Sequence, residues 1–162
     1  MSSTAPRDPI VRALGLANSG DGHMAKSWGD VLATIPLFAG VPPRHLRKIA
    51  GVATAKRFAP YTAMVKQGDP GDAFYVILDG SATVRRTGKR NVTLRQGDFF
   101  GELALLDSSP RSATVEANDD VLAMRLGRAA FQKTLEKEPK VALAMLRTLA
   151  TRLRAGQDEV TH

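Results

Sequence analysis

Between Ala55 and Leu126 the chain is cut into short strand-like runs by tight turns, and this limits its fold more than any other feature. The runs are AKRFA, TAMVKQ, AFYVIL, SATVRR, NVTLRQ, SATVEA and VLAMRL, and the breaks between them include YT, GDPGD, DG, TGK, GD and NDD. Runs this short and this evenly spaced predict seven or eight strands in a sandwich or barrel closed on itself. The tripeptide Gln-Gly-Asp occurs twice, at 67–69 and 96–98, and reads as the same corner used twice. Asp79-Gly80, between AFYVIL and SATVRR, reads as a hairpin turn, because glycine supplies the positive φ that such turns require.

Helical periodicity lies on both sides of this region. WGDVLATIPLF and PPRHLRKIAGVA predict two short helices, with Pro42 and Pro43 at a helix start that tolerates them. After Leu126, GRAAFQKTLEKE predicts one helix and Glu138-Pro139 opens a longer one, with Ala142, Leu146, Leu149 and Leu153 on one stripe and an end at Gly156. We expect that stripe to pack on the roll, and the chain to be a monomer or weak dimer. Residues 1–26, with ANSGDGH and only a weak apolar pattern at Val11, Leu14 and Leu16, read as a flexible segment, and 158–162 as a tail. The expected organisation is one domain over 27–157: helices at 27–54, a β-roll at 55–126 and helices at 127–156.

Composition narrows the chemistry. There are no cysteines, which excludes disulfides and thiolate metal sites, and His23, His45 and His162 have no metal-ligand spacing. We therefore expect no metal, and a cupin-type enzyme on a similar roll lacks its histidine ligands. No signal peptide or membrane span is apparent, so a cytoplasmic protein without a membrane partner is expected. The net charge of +7 raises nucleic acid as a partner. Its clusters RHLRK, RRTGKR and RTLATRLR contain no aromatic residue to stack on bases, and a basic footprint alone gives nonspecific affinity. Asp119-Asp120 reads as a turn rather than a catalytic pair, and Asn91-Val92-Thr93 as hairpin sequence. No enzymatic constellation is visible.

The segment FFGELALLDSSPRSATV, residues 99–115, combines an apolar run with two opposite charges. Gly101-Glu102-Leu103-Ala104-Leu105-Leu106 has the composition of one helical turn. The first N–H groups of such a turn point outward and offer a seat for a phosphate. Arg111 could close over that seat with a planar fork of donors. A carboxylate beside a phosphate must accept hydrogen bonds from something neutral, and a ribose hydroxyl is such a donor. On the other reading Glu102 and Arg111 merely pair with each other. The residue types leave both open.

The same residues, followed by Pro110-Arg111-Ser112-Ala113-Thr114, resemble the phosphate-binding cassette of the cyclic nucleotide-binding domain family. The resemblance extends through IPLFAGVPPRHLRKIA and QGDPGDAFYVILDGSATV and covers residues 28–156. It implies a mainly β fold with flanking α: a double-stranded, jelly-roll-like β-roll with N-terminal helices, a short cassette helix and C-terminal lid helices. It implies a cyclic nucleotide ligand, with Gly101 opening the cassette, Glu102 on the ribose and Arg111 on the phosphate. The amides of Leu103 and Ala104, the Ser112 hydroxyl and the Ala113 amide would complete the cradle. Val84 matches a base-packing position and reads equally as ordinary core. Arg152 matches an arginine able to reach the glutamate or the base, although a cation on a solvated helix face is the preferred reading.

Serine at 112 leaves cyclic AMP and cyclic GMP both open; cyclic AMP is preferred because the Arg-Ser pair resembles the bacterial activators. Those activators offer small hydroxyl residues to adenine from the long helix, where this chain has Gly156 and Gln157. The few residues after Gly156 cannot hold a helix-turn-helix, so specific DNA binding is not expected. The resemblance thus implies a stand-alone sensor whose C-terminal helices move on binding, and a protein partner or effector domain to read that movement. Its rivals are a ligand-free interaction module of the same fold and a basic nucleic-acid-associated regulator.

Overall fold

The computed structural model describes residues 28–159, with side chains described through 156. The expected N-terminal segment, the side chain of Gln157 and the end of the expected tail, 160–162, lie outside that description. Helix α1 ends at 33 and is followed by a 3-10 turn η1 (Pro36–Phe38) and helix α2 (Pro43–Ala50). Pro42 caps α2 and Pro43 takes its first position, where a missing N–H leaves no helical bond unmade. Eight strands follow: β1 (Thr54–Phe58), β2 (Ala63–Val65), β3 (Ala73–Asp79), β4 (Ala82–Arg85), β5 (Val92–Leu94), β6 (Phe99–Phe100), β7 (Thr114–Ala117) and β8 (Val121–Gly127). A 3-10 turn η2 (Glu102–Leu105) separates β6 from β7, and helices α3 (Arg128–Lys137) and α4 (Pro139–Glu159) complete the described chain.

The strands form two antiparallel four-stranded sheets, ordered β1-β8-β3-β6 and β2-β7-β4-β5. The two central strands of the first sheet, β8 and β3, are buried on both faces, which explains why they read as almost unbroken apolar runs, while the edge strand β1 is largely exposed. Along β3, Ala73, Tyr75 and Ile77 enter the roll, while Phe74, Val76 and Leu78 meet the helices. The helix-side core gathers Trp28, Leu32, Phe38, Leu46, Ile49, Phe131 and Val141. Phe38 contacts Phe74 at 6.2 Å between ring centroids and Phe131 at 6.0 Å, so one side chain fastens N-terminal helix, sheet and C-terminal helix together.

Three expectations need correction, and one strand goes beyond them. Asp79-Gly80 is not a hairpin, since β3 and β4 belong to different sheets. Gly80 does take φ +93°, but its corner is held by the 118–120 turn: Ser81 N–H donates to Asp119 Oδ1 at 2.9 Å and Asn118 N–H to the Ser81 carbonyl at 2.9 Å. Phe99–Phe100 forms a strand that the sequence did not reveal, because two residues display no alternation; Phe99 meets Phe74 and Phe100 stacks on Tyr75.

The final helix runs through Gly156 to Glu159, since Gly156 needs no positive φ and no helix breaker follows it. Its core-facing residues are Val141 and Met145, with Ala144 and the expected Leu149 half-buried beside them and Thr148 donating to the Ala39 carbonyl at 2.6 Å, whereas Leu146 and Leu153 of the expected stripe are exposed. Apolar residues cover more than half of this helix's circumference, so periodicity alone did not select the packed face. No described helix is long and apolar enough to cross a membrane.

Glu138 sits at the elbow between α3 and α4, where its carboxylate accepts a 2.6 Å hydrogen bond from Lys48 Nζ and lies 3.1 Å from His45 Nδ1. The Lys48 ammonium holds the Glu138 carboxyl below its usual pKa. A carboxyl lowered on folding stabilises the fold above its unfolded pKa, and that contribution disappears as pH falls through the folded value. Glu138→Gln should therefore melt lower than the parent at neutral pH, and the gap should close on acidification through that window. Thermal melts across a pH series check this; a gap that persists in acid would mean the pair does not act through charge.

Candidate functional site

Gly101 enters η2 with φ +80° and ψ 19°, in the left-handed region, and turns the chain from β6 into a single 3-10 turn that carries Glu102. Any other residue would be strained by that φ, and its Cβ would lie 2.5 Å from Arg111 Nη1 and displace the guanidinium. The turn is closed by the Ala104 amide donating to the Gly101 carbonyl at 2.9 Å. Of the two turn amides expected in the cradle, that of Ala104 is thus already committed inside the turn.

The loop that follows is held by the first Gln-Gly-Asp corner. Gly68 N–H donates to the Arg111 carbonyl at 2.9 Å, and Arg111 N–H donates to the Asp69 carbonyl at 2.7 Å. Gly71 N–H donates to Ser109 at 3.1 Å, and Gly71 is close enough to Ala104 and Ser109 that a side chain there would crowd both. The second corner makes the same exchange with Ile77: Gly97 N–H to Ile77 O and Ile77 N–H to Asp98 O, both 2.8 Å. Both glycines have φ +92°. The repeated tripeptide is therefore one device, used once to close the sheet and once to fix the backbone of Arg111.

The Arg111 side chain is 8% exposed, and its Nη2 donates to the Ala73 carbonyl at 2.8 Å. Its nearest carboxylate, Asp72, stands 3.9 Å away with a side chain 66% exposed, and also lies 3.6 Å from Arg125. Desolvation by burial is the main influence on Arg111 and lowers its pKa. A buried guanidinium with so weakly placed a counter-charge is an incomplete site for an anion.

Glu102 does not complete it. Its ion pair is with Arg152 of α4, Nη2 to Oε1 at 3.5 Å, and its Oε2 is buried with no hydrogen-bond partner among the described residues. The pairing of Glu102 with Arg111 that the sequence left open is not what forms. Arg152, preferred above as a solvated cation, instead reaches the cassette.

Glu102, Arg111, Gly101, Leu103, Ala104, Ser112, Ala113 and Val84 line one cavity of about 450 Å³. Val84 also packs against the roll interior, as the core reading expects, and its place in the cavity wall is what the base-packing reading requires. Sequence reasoning missed Gly71, Arg86 and Phe100 among the lining residues; Gly71 lay in a segment read only as a turn. It also missed Arg128, whose Nη1 donates to the carbonyls of Gly71, Ala104 and Asp107, while Gln132 donates to that of Leu105 at 3.4 Å. A helix start gives no hint of such reach. Among the described residues no three His, Asp or Glu side chains converge as a metal site.

A family model described as the cyclic nucleotide-binding domain matches residues 55–138. The cAMP-dependent protein kinase regulatory subunit of Colletotrichum orbiculare is 35% identical over 137 residues, covering 83% of this chain and 34% of that protein. Among solved structures, the N-terminal domain of a transcriptional regulator from Streptomyces coelicolor A3(2) matches with TM-score 0.74 at 33% identity, over 82% of this chain and 99% of that one. A structure described as Sp-2Cl-cAMPS bound to PKAR CBD2 matches with TM-score 0.60 at 28% identity, over 84% of this chain and 94% of that one. The chain spans about a quarter to a third of the length of the curated relatives it matches. The family match covers just over half of the chain, and a relative 35% identical covers 83% of it; this chain belongs to the cyclic nucleotide-binding domain family.

Proposed function

We propose that this chain is a regulatory sensor that binds a cyclic nucleotide, cyclic AMP by preference, in the cavity between cassette and roll, and leaves it chemically unchanged. One observation carries the reading: two opposite, incompletely matched groups face a single cavity without pairing. Arg111 is a buried cation with only an exposed carboxylate nearby, and Glu102 Oε2 is a buried acceptor with no donor. A cyclic phosphate answers the first. The ribose hydroxyl beside that phosphate answers the second, and it stands between the two anions as a neutral donor.

Cyclic AMP is preferred because the curated relatives are named as cAMP-dependent kinase regulatory subunits and a structural neighbour is described with a cAMPS ligand. Cyclic GMP is the second reading, favoured by Ser112, whose residue lines the cavity and whose hydroxyl makes no hydrogen bond among the described residues. Arg152, Arg128 and Gln132 tie the C-terminal helices to the cassette. A ligand that engages Glu102 changes what Arg152 holds, which supports a shift of α4 as the output, read by a protein partner or effector domain.

Calorimetric titration of the nucleotide-stripped protein with cyclic AMP and with cyclic GMP is the test. One-to-one saturable heat is expected, tighter for cyclic AMP. Glu102→Gln, which keeps the shape but removes the charge on the acceptor, should weaken binding by about 1–3 kcal/mol. If a folded, ligand-free protein takes up neither nucleotide, the reading fails and a ligand-free interaction module of the same fold replaces it.

A further inference from the structure

Helix α4 presents a second apolar face that its own fold leaves uncovered. Leu143, Leu146 and Leu153 are 48%, 61% and 69% exposed, and with Ala150 they recur at intervals of three and four residues. That is the a/d spacing of a helix-pairing seam, narrower than the apolar face of a helix laid into lipid. One edge of the seam is cationic. Lys140, Arg147 and Arg154 are exposed, lie one heptad apart, and have no acidic partner among the described residues. From Pro139 to Gly156 the helix contains no Asp or Glu, so no neighbour on α4 within that span can neutralise the row.

A second copy of this chain would not satisfy the row. Antiparallel pairing sets the three cations opposite the same three cations. Parallel pairing sets Arg147 opposite Ala142 and Arg154 opposite Leu149, neither of which carries a charge, and leaves Lys140 with no residue of α4 to face. The missing complement is a row of carboxylates beside an apolar stripe. We infer that the seam Leu143, Leu146, Ala150 and Leu153, with the row Lys140, Arg147 and Arg154, docks an acidic amphipathic helix of a partner protein. The surface is independent of the nucleotide cavity: none of these seven residues lines it. Its place is nonetheless close to the cassette, because Arg152, on the same helix, holds Glu102 at 3.5 Å.

The probe is a fluorescein-labelled synthetic helix of three heptads, with leucine at a and d and glutamate at e and g, compared with a twin that has lysine at e and g. Fluorescence anisotropy against the full chain at physiological salt should give saturable binding of the acidic peptide, with the lysine twin at least about tenfold weaker. The double variant Arg147→Glu with Arg154→Glu should reverse that preference. Leu146→Ser with Leu153→Ser should abolish binding of the acidic peptide; both positions are exposed, so the melting temperature should hold. Equal binding of the two peptides, or of neither, overturns the inference. So does sedimentation of the parent as a dimer that Leu146→Ser dissociates, which would make a second copy the occupant. Co-sedimentation with phosphatidylserine vesicles in place of any peptide preference would assign the face to lipid and overturn it equally.

Discussion

Arg111→Ala should weaken cyclic nucleotide binding by about 2–5 kcal/mol, a loss of roughly thirtyfold to several thousandfold, while the protein stays folded. The size follows from where the charge sits. Arg111 is desolvated, Asp72 is too far away and too exposed to neutralise it, and a bound phosphate would be the first close anion it meets. Without the guanidinium the phosphate enters a buried site and loses water with nothing in return. The fold should tolerate the change because the hydrogen bonds fixing this loop are made by the backbone of Arg111, to Gly68 and Asp69. The side chain contributes one bond to the Ala73 carbonyl, whose loss costs about 1 kcal/mol. Arg111→Lys separates charge from shape: it restores a cation but not the planar fork, and should recover only part of the affinity. Titration calorimetry beside a thermal melt checks all three proteins. Unchanged affinity in a folded Arg111→Ala protein would remove the cavity from nucleotide binding.

The parts of this site that could be read from sequence are those in which chemistry and spacing coincide. Gly101 before Glu102, with Arg111 nine residues later, marked a possible phosphate seat by type and spacing, and the resemblance of residues 101–114 to the family's cassette chose that reading over a simple ion pair. The repeated Gln-Gly-Asp tripeptide was legible as one corner for the same reason, since φ +92° at both glycines is a local requirement. What could not be read depends on contacts distant in sequence. Arg128 lies 21 residues from Asp107 and 57 from Gly71, and nothing near it in the chain announces that it gathers their carbonyls. Arg152 was placed with the solvated cations because an arginine on a long helix usually is one, and only the position of α4 against η2 brings it to Glu102. The α4 stripe held at Leu149 and misled at Leu146 and Leu153 for a physical reason: burial picked Val141 and Met145 out of a helix with leucines on several sides.

Gly80 tests the corner that the sequence misrepresented. A Cβ on Gly80 would lie 2.3 Å from the Asp120 carbonyl oxygen and 2.9 Å from Asp119 Oδ1, and the backbone there holds φ +93°. Gly80→Ala therefore combines left-handed strain, about 1–2 kcal/mol, with a collision against main chain that cannot rotate away. A total near 3–4 kcal/mol is expected, or roughly 6–16 °C in melting temperature for a protein of this length. Gly97→Ala supplies the control, because it has nearly the same φ, +92°, and nothing within 4 Å of its added Cβ. It should show the strain alone, about 1–2 kcal/mol. The difference between the two variants then measures the packing of the 79–81 corner against the 118–120 turn, the place where the chain crosses between sheets. Equal melting temperatures would mean that the two corners do not brace each other. The crossing also joins β3, whose Ala73 carbonyl holds Arg111, to β4, which carries Val84 into the cavity wall. Gly80→Ala should accordingly weaken nucleotide binding at temperatures where the variant is still folded, and Gly97→Ala should not.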